Sequence, residues 1–329
     1  MPSPSTLPEN SSLLRRGLLA TGRIIRQWFD TDYMPDTERF NGEDRFDVRR
    51  ATPYILLHIG CLAVFWTGWS WFAVAAAAFL YFIRMFAITA FYHRYFSHKA
   101  FRTSRAAQFV FAVMGNSSMQ RGPLWWVATH RHHHAHSDLE GDKHSPVQDG
   151  FVWSHVGWLT SSNNFPTNYK SIPDLAKYRE LVFLNRHDFV VPLIYLVSLW
   201  GLGALLEKYA PGLNTNGAQL FVWGGFISTA FLLQATLFIN SLAHVFGKRR
   251  FKTTDDSRNS LPLAVVTLGE GWHNNHHRYA HSARQGFYWW ELDISYYLLK
   301  CLSWMGIIWD LRGVPKHIYE EAAPGSAKS

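Results

Sequence analysis

Four apolar runs punctuate the chain. Pro53–Trp66 and Trp71–Tyr92 are joined only by Thr67–Ser70, too short for a soluble loop, so they read as a helical hairpin. Phe189–Leu206 and Gln219–Asn240 flank KYAPGLNTNGA, whose Pro, Gly and Asn mark a turn, and form a second hairpin. A bilayer-crossing helix needs about 20 apolar residues. The first and third runs fall slightly short, which tilt or ragged ends accommodate. Trp66, Trp69 and Trp71 sit at the first tip, where interfacial aromatics belong. The pattern predicts an all-α integral membrane protein. Its four transmembrane helices (53–66, 71–92, 189–206 and 219–240) are capped by a helical domain built from residues 93–188 and 241–311. Upstream, Leu14, Leu18, Ile25 and Phe29 recur at near-helical spacing with Arg15, Arg16, Arg23 and Arg26 between them. This predicts an amphipathic interfacial helix over Ser12–Phe29. The chain divides into an N-terminal tail (1–51), a main domain (52–311) and a C-terminal tail (312–329).

Charge sets the orientation. The formal net charge is +8, and lysines and arginines crowd the N-terminal tail and residues 93–188, whereas the hairpin tips carry little beyond Glu207 and Lys208. The positive-inside rule places both termini and the polar segments in the cytosol. The basic residues lie beside apolar runs and no nucleic-acid motif is present, so the surface they suit is a lipid bilayer, not nucleic acid. Arg84, inside the second run, is expected to snorkel to the interface. Cys61 and Cys301 are the only cysteines, too few for a disulfide framework or a thiolate metal site.

Histidine is the unusual residue, with 17 copies mostly in clusters. HRYFSH holds His93 and His98, HRHHH holds His130, His133 and His134, and HNNHH holds His273, His276 and His277. NSLAH adds His244, four residues after Asn240 and directly after the fourth run. On a helix, positions i, i+3 and i+4 share a face, so each H-x-x-H-H can aim three imidazoles at one place. Pro123 suits the first turn of the helix carrying His130–His134. All four elements can meet at the membrane surface. Nine imidazoles exceed one ion's needs and divide into two sites of four or five. Imidazole also suits zinc, copper and nickel, but the membrane setting and double site favour iron. His132, His136, His144, His155 and His281 fall off the pattern and read as structural or solvent-facing. His58 reads as a helix contact, and His187 and His317 as surface residues.

The ordered boxes HRYFSH, HRHHH and GEGWHNNHH resemble those of membrane fatty acyl desaturases, the group of stearoyl-CoA and bacterial Δ9 enzymes. DLEGDKHSP, GFVWSHVGWL, INSLAH and SARQGFYWWELD extend the resemblance over Thr52–Leu311. It implies that the nine histidines bind two iron ions, that Asn240 contacts one through water, and that dioxygen is the co-substrate. It implies a long acyl chain bent beside Gln120, Trp126 and Thr236, with a cis double bond introduced at Δ9. Asp138, Asp142 and Glu270 lie near the boxes, where the family carries acids, and are expected to orient ligand imidazoles.

Animal acyl-CoA enzymes of this kind place an Arg-Lys pair soon after HVGWLL. Here HVGWL runs into Thr160–Asn164, TSSNN, so the pair is absent although Trp158, a candidate substrate contact, is retained. That leaves acyl-CoA and acyl-lipid substrates both open. No cytochrome b5-like domain, dinucleotide fingerprint or iron–sulfur cysteine set is visible, so electrons are expected from a separate carrier: a ferredoxin, a rubredoxin or cytochrome b5. A bacterial inner membrane is expected rather than the endoplasmic reticulum. Two alternatives remain: a His-box hydroxylase of lipids, alkanes or carotenoids, and a membrane metal-binding or transport protein.

Overall fold

A computed structural model describes residues 46–322 without interruption, together with residues 21, 22, 26, 29–33 and 44. The amphipathic helix expected over 12–29, and the last residues of the C-terminal tail, lie largely outside the described residues. The chain forms helices α1 Val48–Cys61, α2 Trp71–Ser97, α3 Arg105–Asn116, α4 Pro123–His136 and α5 Arg179–Arg186. Then follow α6 Val190–Tyr209, α7 Gly217–Val245, α8 Leu261–Val266, α9 His273–Arg278 and α10 Ile294–Trp304, with several shorter turns of helix between them. A small antiparallel sheet pairs β1, Arg102–Thr103, with β2, Ile308–Trp309, and ties the segment after α2 to the segment after α10.

Three helices, α2, α6 and α7, are long and apolar enough to cross a membrane. In α6 only 11% of the apolar window is buried, so Leu193, Ile194, Val197, Trp200 and Leu205 face outward. A belt of that kind suits lipid. The first apolar run differs from the expected uninterrupted span. Helix α1 has 14 residues, and a turn separates it from a last short piece, Val64–Thr67. Trp66, Trp69 and Trp71 are exposed at this end, as interfacial anchors should be.

Arg84 does not snorkel. It is 2% exposed and donates to Ser228 Oγ at 2.7 Å, Thr229 Oγ1 at 2.6 Å and the Leu80 carbonyl at 3.2 Å. Its guanidinium also lies 4.7 Å from the centre of the Tyr195 ring. Hydroxyls, carbonyls and an aromatic face solvate the charge in place, and in doing so pin α2 to α7.

Helix α2 changes pitch on the way to its histidines. Ala87–Ser97 is a π-helix, in which residue i+5 bonds back to residue i, as the His98 N–H does to the His93 carbonyl at 3.3 Å. In an α-helix, residues five apart point about 140° apart at 100° per residue. The wider turn instead stacks them, and the His93 and His98 rings lie 4.9 Å apart. Around this turn the core closes: Phe91 stacks on Phe111 at 3.8 Å, and Tyr92, Phe96, Leu124, Leu181 and Leu232 are fully buried.

The loop leading into α9 is set by contact between backbones. A Cβ on Gly271 would lie 2.0 Å from the Ala264 nitrogen and 2.5 Å from the Ser260 carbonyl oxygen. Those atoms cannot rotate away. Gly271→Ala is therefore expected to destabilise the protein by roughly 1–3 kcal/mol, whereas Gly201→Ala, with open space around its Cβ, should not. Thermal unfolding of both variants in detergent checks the contrast.

Candidate metal centre

Four helices bring the histidines together. Helix α2 and the residue after it supply His93 and His98, α4 supplies His130, His133 and His134, α7 supplies His244, and α9 supplies His273, His276 and His277. They sort into two groups. His93, His98, His130, His134 and His276 hold one nitrogen each within 4.8 Å of all the others, and so do His133, His244, His273 and His277. The i, i+3, i+4 spacing places three imidazoles of each box on one face, but each box serves both groups.

Nitrogen faces nitrogen inside each group. Nε2–Nε2 distances are 2.8 Å for His98–His130, 2.9 Å for His134–His276 and 3.0 Å for both His93–His276 and His244–His273. Two bare nitrogens at that distance repel, and hydrogens cannot reconcile all of them. A metal–nitrogen bond of about 2.1 Å would place neighbouring ligand nitrogens about 3 Å apart at right angles. His277 Nε2 is buried without a hydrogen-bond partner among the described residues. An all-imidazole donor set with an orphaned lone pair fits two transition-metal ions.

The outward nitrogens are anchored. His244 Nδ1 donates to Asp138 Oδ2 at 2.7 Å, His133 Nδ1 to Asp142 at 3.0 Å, and His93 Nδ1 to Glu270 Oε2 at 2.5 Å. All three acids expected beside the boxes thus touch imidazoles. A fourth, Asp255, was not foreseen; its Oδ2 accepts from His277 Nδ1 at 2.6 Å. It sits in a loop twenty-two residues before its partner, and its sequence signal was only a pair of acids after a basic run. Carboxylates at Nδ1 fix the tautomer that leaves Nε2 free to bind a metal.

Further out, buried Arg94 donates to Glu270 Oε1 at 3.0 Å and to Asp293, so Glu270 is held from both sides. Asn274 and Asn275, the two middle residues of HNNHH, are clamps. Asn274 Oδ1 accepts from the Arg250 and Phe251 amides at 2.7 Å, and Asn275 Nδ2 donates to the Gln285 carbonyl at 2.9 Å. The sequence reading gave these residues no role.

Two cavities of about 40 and 50 Å³ meet beside the histidines. The first is lined by Met85, Ile88, Thr89 and Ile239 on its apolar side, the second by Trp125, Leu233, Leu237 and Trp158. Trp126, His130, Thr236 and Asn240 border both. At this pinch Gln120 Nε2 donates to Thr236 Oγ1 at 2.9 Å, and Trp126 stacks on His130 at 4.9 Å. Gln120 and Trp126 are thus brought beside Thr236, more than a hundred residues on in the chain, and Asn240 lines both cavities.

The off-pattern histidines stay outside the two groups. His132 meets the Gly141 carbonyl, His136 the His132 carbonyl, His281 the His98 carbonyl, and His58 and His155 both reach Gln234. His144 departs from expectation: it is buried, close to Asp142 and His133, and lines the second cavity.

The sequence model of the family described as fatty acid desaturase matches residues 30–300. Among curated relatives, Delta-9 acyl-lipid desaturase 1 of Arabidopsis thaliana is 35% identical over 82% of this chain and 84% of its own length. The sn-1 stearoyl-lipid 9-desaturase of Anabaena variabilis is 36% identical over 77% of this chain and 89% of its own. Acyl-CoA 5-desaturase AL21 of Anemone leveillei is 35% identical over 80% and 78%.

Burial first, and neighbouring imidazoles second, hold His98, His130, His134, His273 and His276 well below their usual 6.5. Burial raises the Asp138 carboxyl, but the His244 and Ser145 hydrogen bonds outweigh it and bring it to about 2. Below pH 6.5 the unfolded chain takes up protons that the folded one refuses, so stability falls as pH drops through that value. The depressed carboxylate adds its own loss only below its usual 3.8. The metal-free protein is expected to melt at a lower temperature at pH 5.5 than at pH 7.5, as thermal unfolding in detergent would show.

Proposed function

The chain belongs to the fatty acid desaturase family, and we propose that it is a di-iron, oxygen-dependent Δ9 desaturase of lipid-bound saturated acyl chains. The observation that carries this reading is the five-plus-four division of the nine histidines beside two cavities that meet at Gln120, Trp126 and Thr236. Two of the relatives are named 9-desaturases of lipids. TSSNN in place of an Arg-Lys pair after HVGWL further favours a lipid ester over acyl-CoA.

Iron and dioxygen together supply the oxidant that removes two hydrogens from an unactivated chain, chemistry no side chain can perform. The protein's share is binding and placement. Nine imidazoles would hold the ions and Asn240 would reach one through water, while Asp138, Asp142, Asp255 and Glu270 hold the imidazoles. Gln120, Trp126 and Thr236 bend the acyl chain so that its middle, not its end, lies against the histidines. The walls exclude water from the exposed methylenes.

Residues 52–311 form the desaturase domain. α1 with its short continuation serves as the first of four spans, and α2, α6 and α7 as the others. Both termini and the metal centre lie on the cytosolic side of a bacterial inner membrane, where a ferredoxin, rubredoxin or cytochrome b5 delivers electrons.

Expressed with a donor in a desaturase-deficient host, the protein should yield Δ9 monounsaturated chains on fatty acid methyl ester analysis, and His133→Ala should abolish them. Hydroxylated chains instead would show a hydroxylase. Asp255→Ala should weaken iron retention roughly 10–100-fold, measured by competition with a chelator.

A further inference from the structure

The second cavity offers more hydrogen-bonding capacity than an alkyl chain can use. Trp158 is 4% exposed, and its indole N–H is buried without a partner among the described residues. His144 lies against it, ring centres 4.8 Å apart, and its Nδ1 is likewise buried without a hydrogen bond among the described residues, the Asp142 carboxylate lying 3.9 Å away. Both side chains line the cavity.

Trp158 is held in place. Trp125 stacks on it in near-parallel fashion at 5.8 Å, and Trp125 is itself fixed by Nε1 to the Asn164 carbonyl at 2.9 Å and by its amide to Asn185 Oδ1 at 2.7 Å. A buried, immobile N–H on a residue that lines a cavity calls for an acceptor. Methylenes provide none. The one acceptor on an acyl lipid next to its chain is the ester carbonyl.

We propose that the Trp158 indole N–H, with His144 beside it, binds the carbonyl oxygen of the ester that joins the acyl chain to its lipid. This rests on the desaturase reading. From that point the chain passes Gln120, Trp126 and Thr236 into the apolar cavity, where His93, His130, His133 and His273 stand. His144 is 4.4 Å from His133, so a single imidazole separates the carbonyl subsite from the histidine groups. Anchoring the carbonyl there fixes how many methylenes reach the irons, and the double bond is counted from the carboxyl end.

The test compares two probes on the iron-loaded enzyme with its donor: a phosphatidylglycerol bearing an sn-1 stearoyl ester, and its sn-1 octadecyl ether counterpart, which lacks the carbonyl. Wild type should place one double bond position in the ester. With the ether it should show a KM roughly tenfold higher, the loss of one hydrogen bond, and a spread of positions. Trp158→Phe, which keeps the ring and loses the N–H, should treat the ester as wild type treats the ether, with iron content unchanged. Equal KM and the same single position for ester and ether in wild type would overturn the proposal without any variant. So would a Trp158→Phe enzyme that keeps the wild-type KM and position on the ester, or that raises KM equally for both lipids. Failure of the iron-loaded wild type to desaturate either lipid would contradict the desaturase reading instead.

Discussion

Nine imidazoles packed nitrogen to nitrogen, away from water, are the constraint around which this molecule is organised. Each must be neutral to ligate, and each must turn its lone pair toward others that it would repel. Where carboxylates hold the protons on Nδ1, the Nε2 atoms that meet at 2.8–3.0 Å present lone pairs, and a cation between them relieves that repulsion. The surrounding architecture serves that requirement. Four carboxylates take the outward Nδ1 protons, a buried arginine takes up the charge of Glu270, and asparagines lock the short helix α9 to the loop that carries Asp255.

The helices place this arrangement where a lipid chain can reach it. Helices α2 and α7, both long enough to span a bilayer, carry His93 and His244 near their ends, so the histidine groups sit where apolar walls give way to polar ones. Arg84 fixes the register of these two helices with hydroxyls instead of a carboxylate. The pinch between the cavities includes the residue that seats His130: Trp126 lies against that ring, and Thr236, the other side of the pinch, is one turn before Asn240 on α7. The pinch and the histidine groups are thus in direct contact, which in the proposed reading ties where the chain bends to where oxidation occurs.

Much of this was legible in the chain because its signals are periodic. The H-x-x-H-H boxes fall at helical spacing, and an imidazole at i, i+3 and i+4 has few other uses than a shared ligand. The acids nearest the boxes, Asp138, Asp142 and Glu270, were legible for the same local reason. Asp255 and Gln285 were not, since their contacts depend on how loops fold back onto α9. The His93–His98 pair was legible from its box but not from spacing: five residues apart, it reads as two faces of an α-helix, and the π-helical turn aligns it. Arg84 was misjudged because hydropathy registers its charge but not the hydroxyls of Ser228 and Thr229 that meet it across the bundle. The first apolar run looked like a span by composition, yet the turn after Cys61 interrupts it.

Under the di-iron proposal, each of the two histidine groups holds one iron. Iron content per chain, measured on purified protein reconstituted anaerobically, tests it most directly. Two irons per chain, falling to one on replacing His244 and His273 together by alanine while the other group stays loaded, is the result this account predicts. A single metal per chain in the wild type, or loss of both ions together with the fold intact, would contradict it.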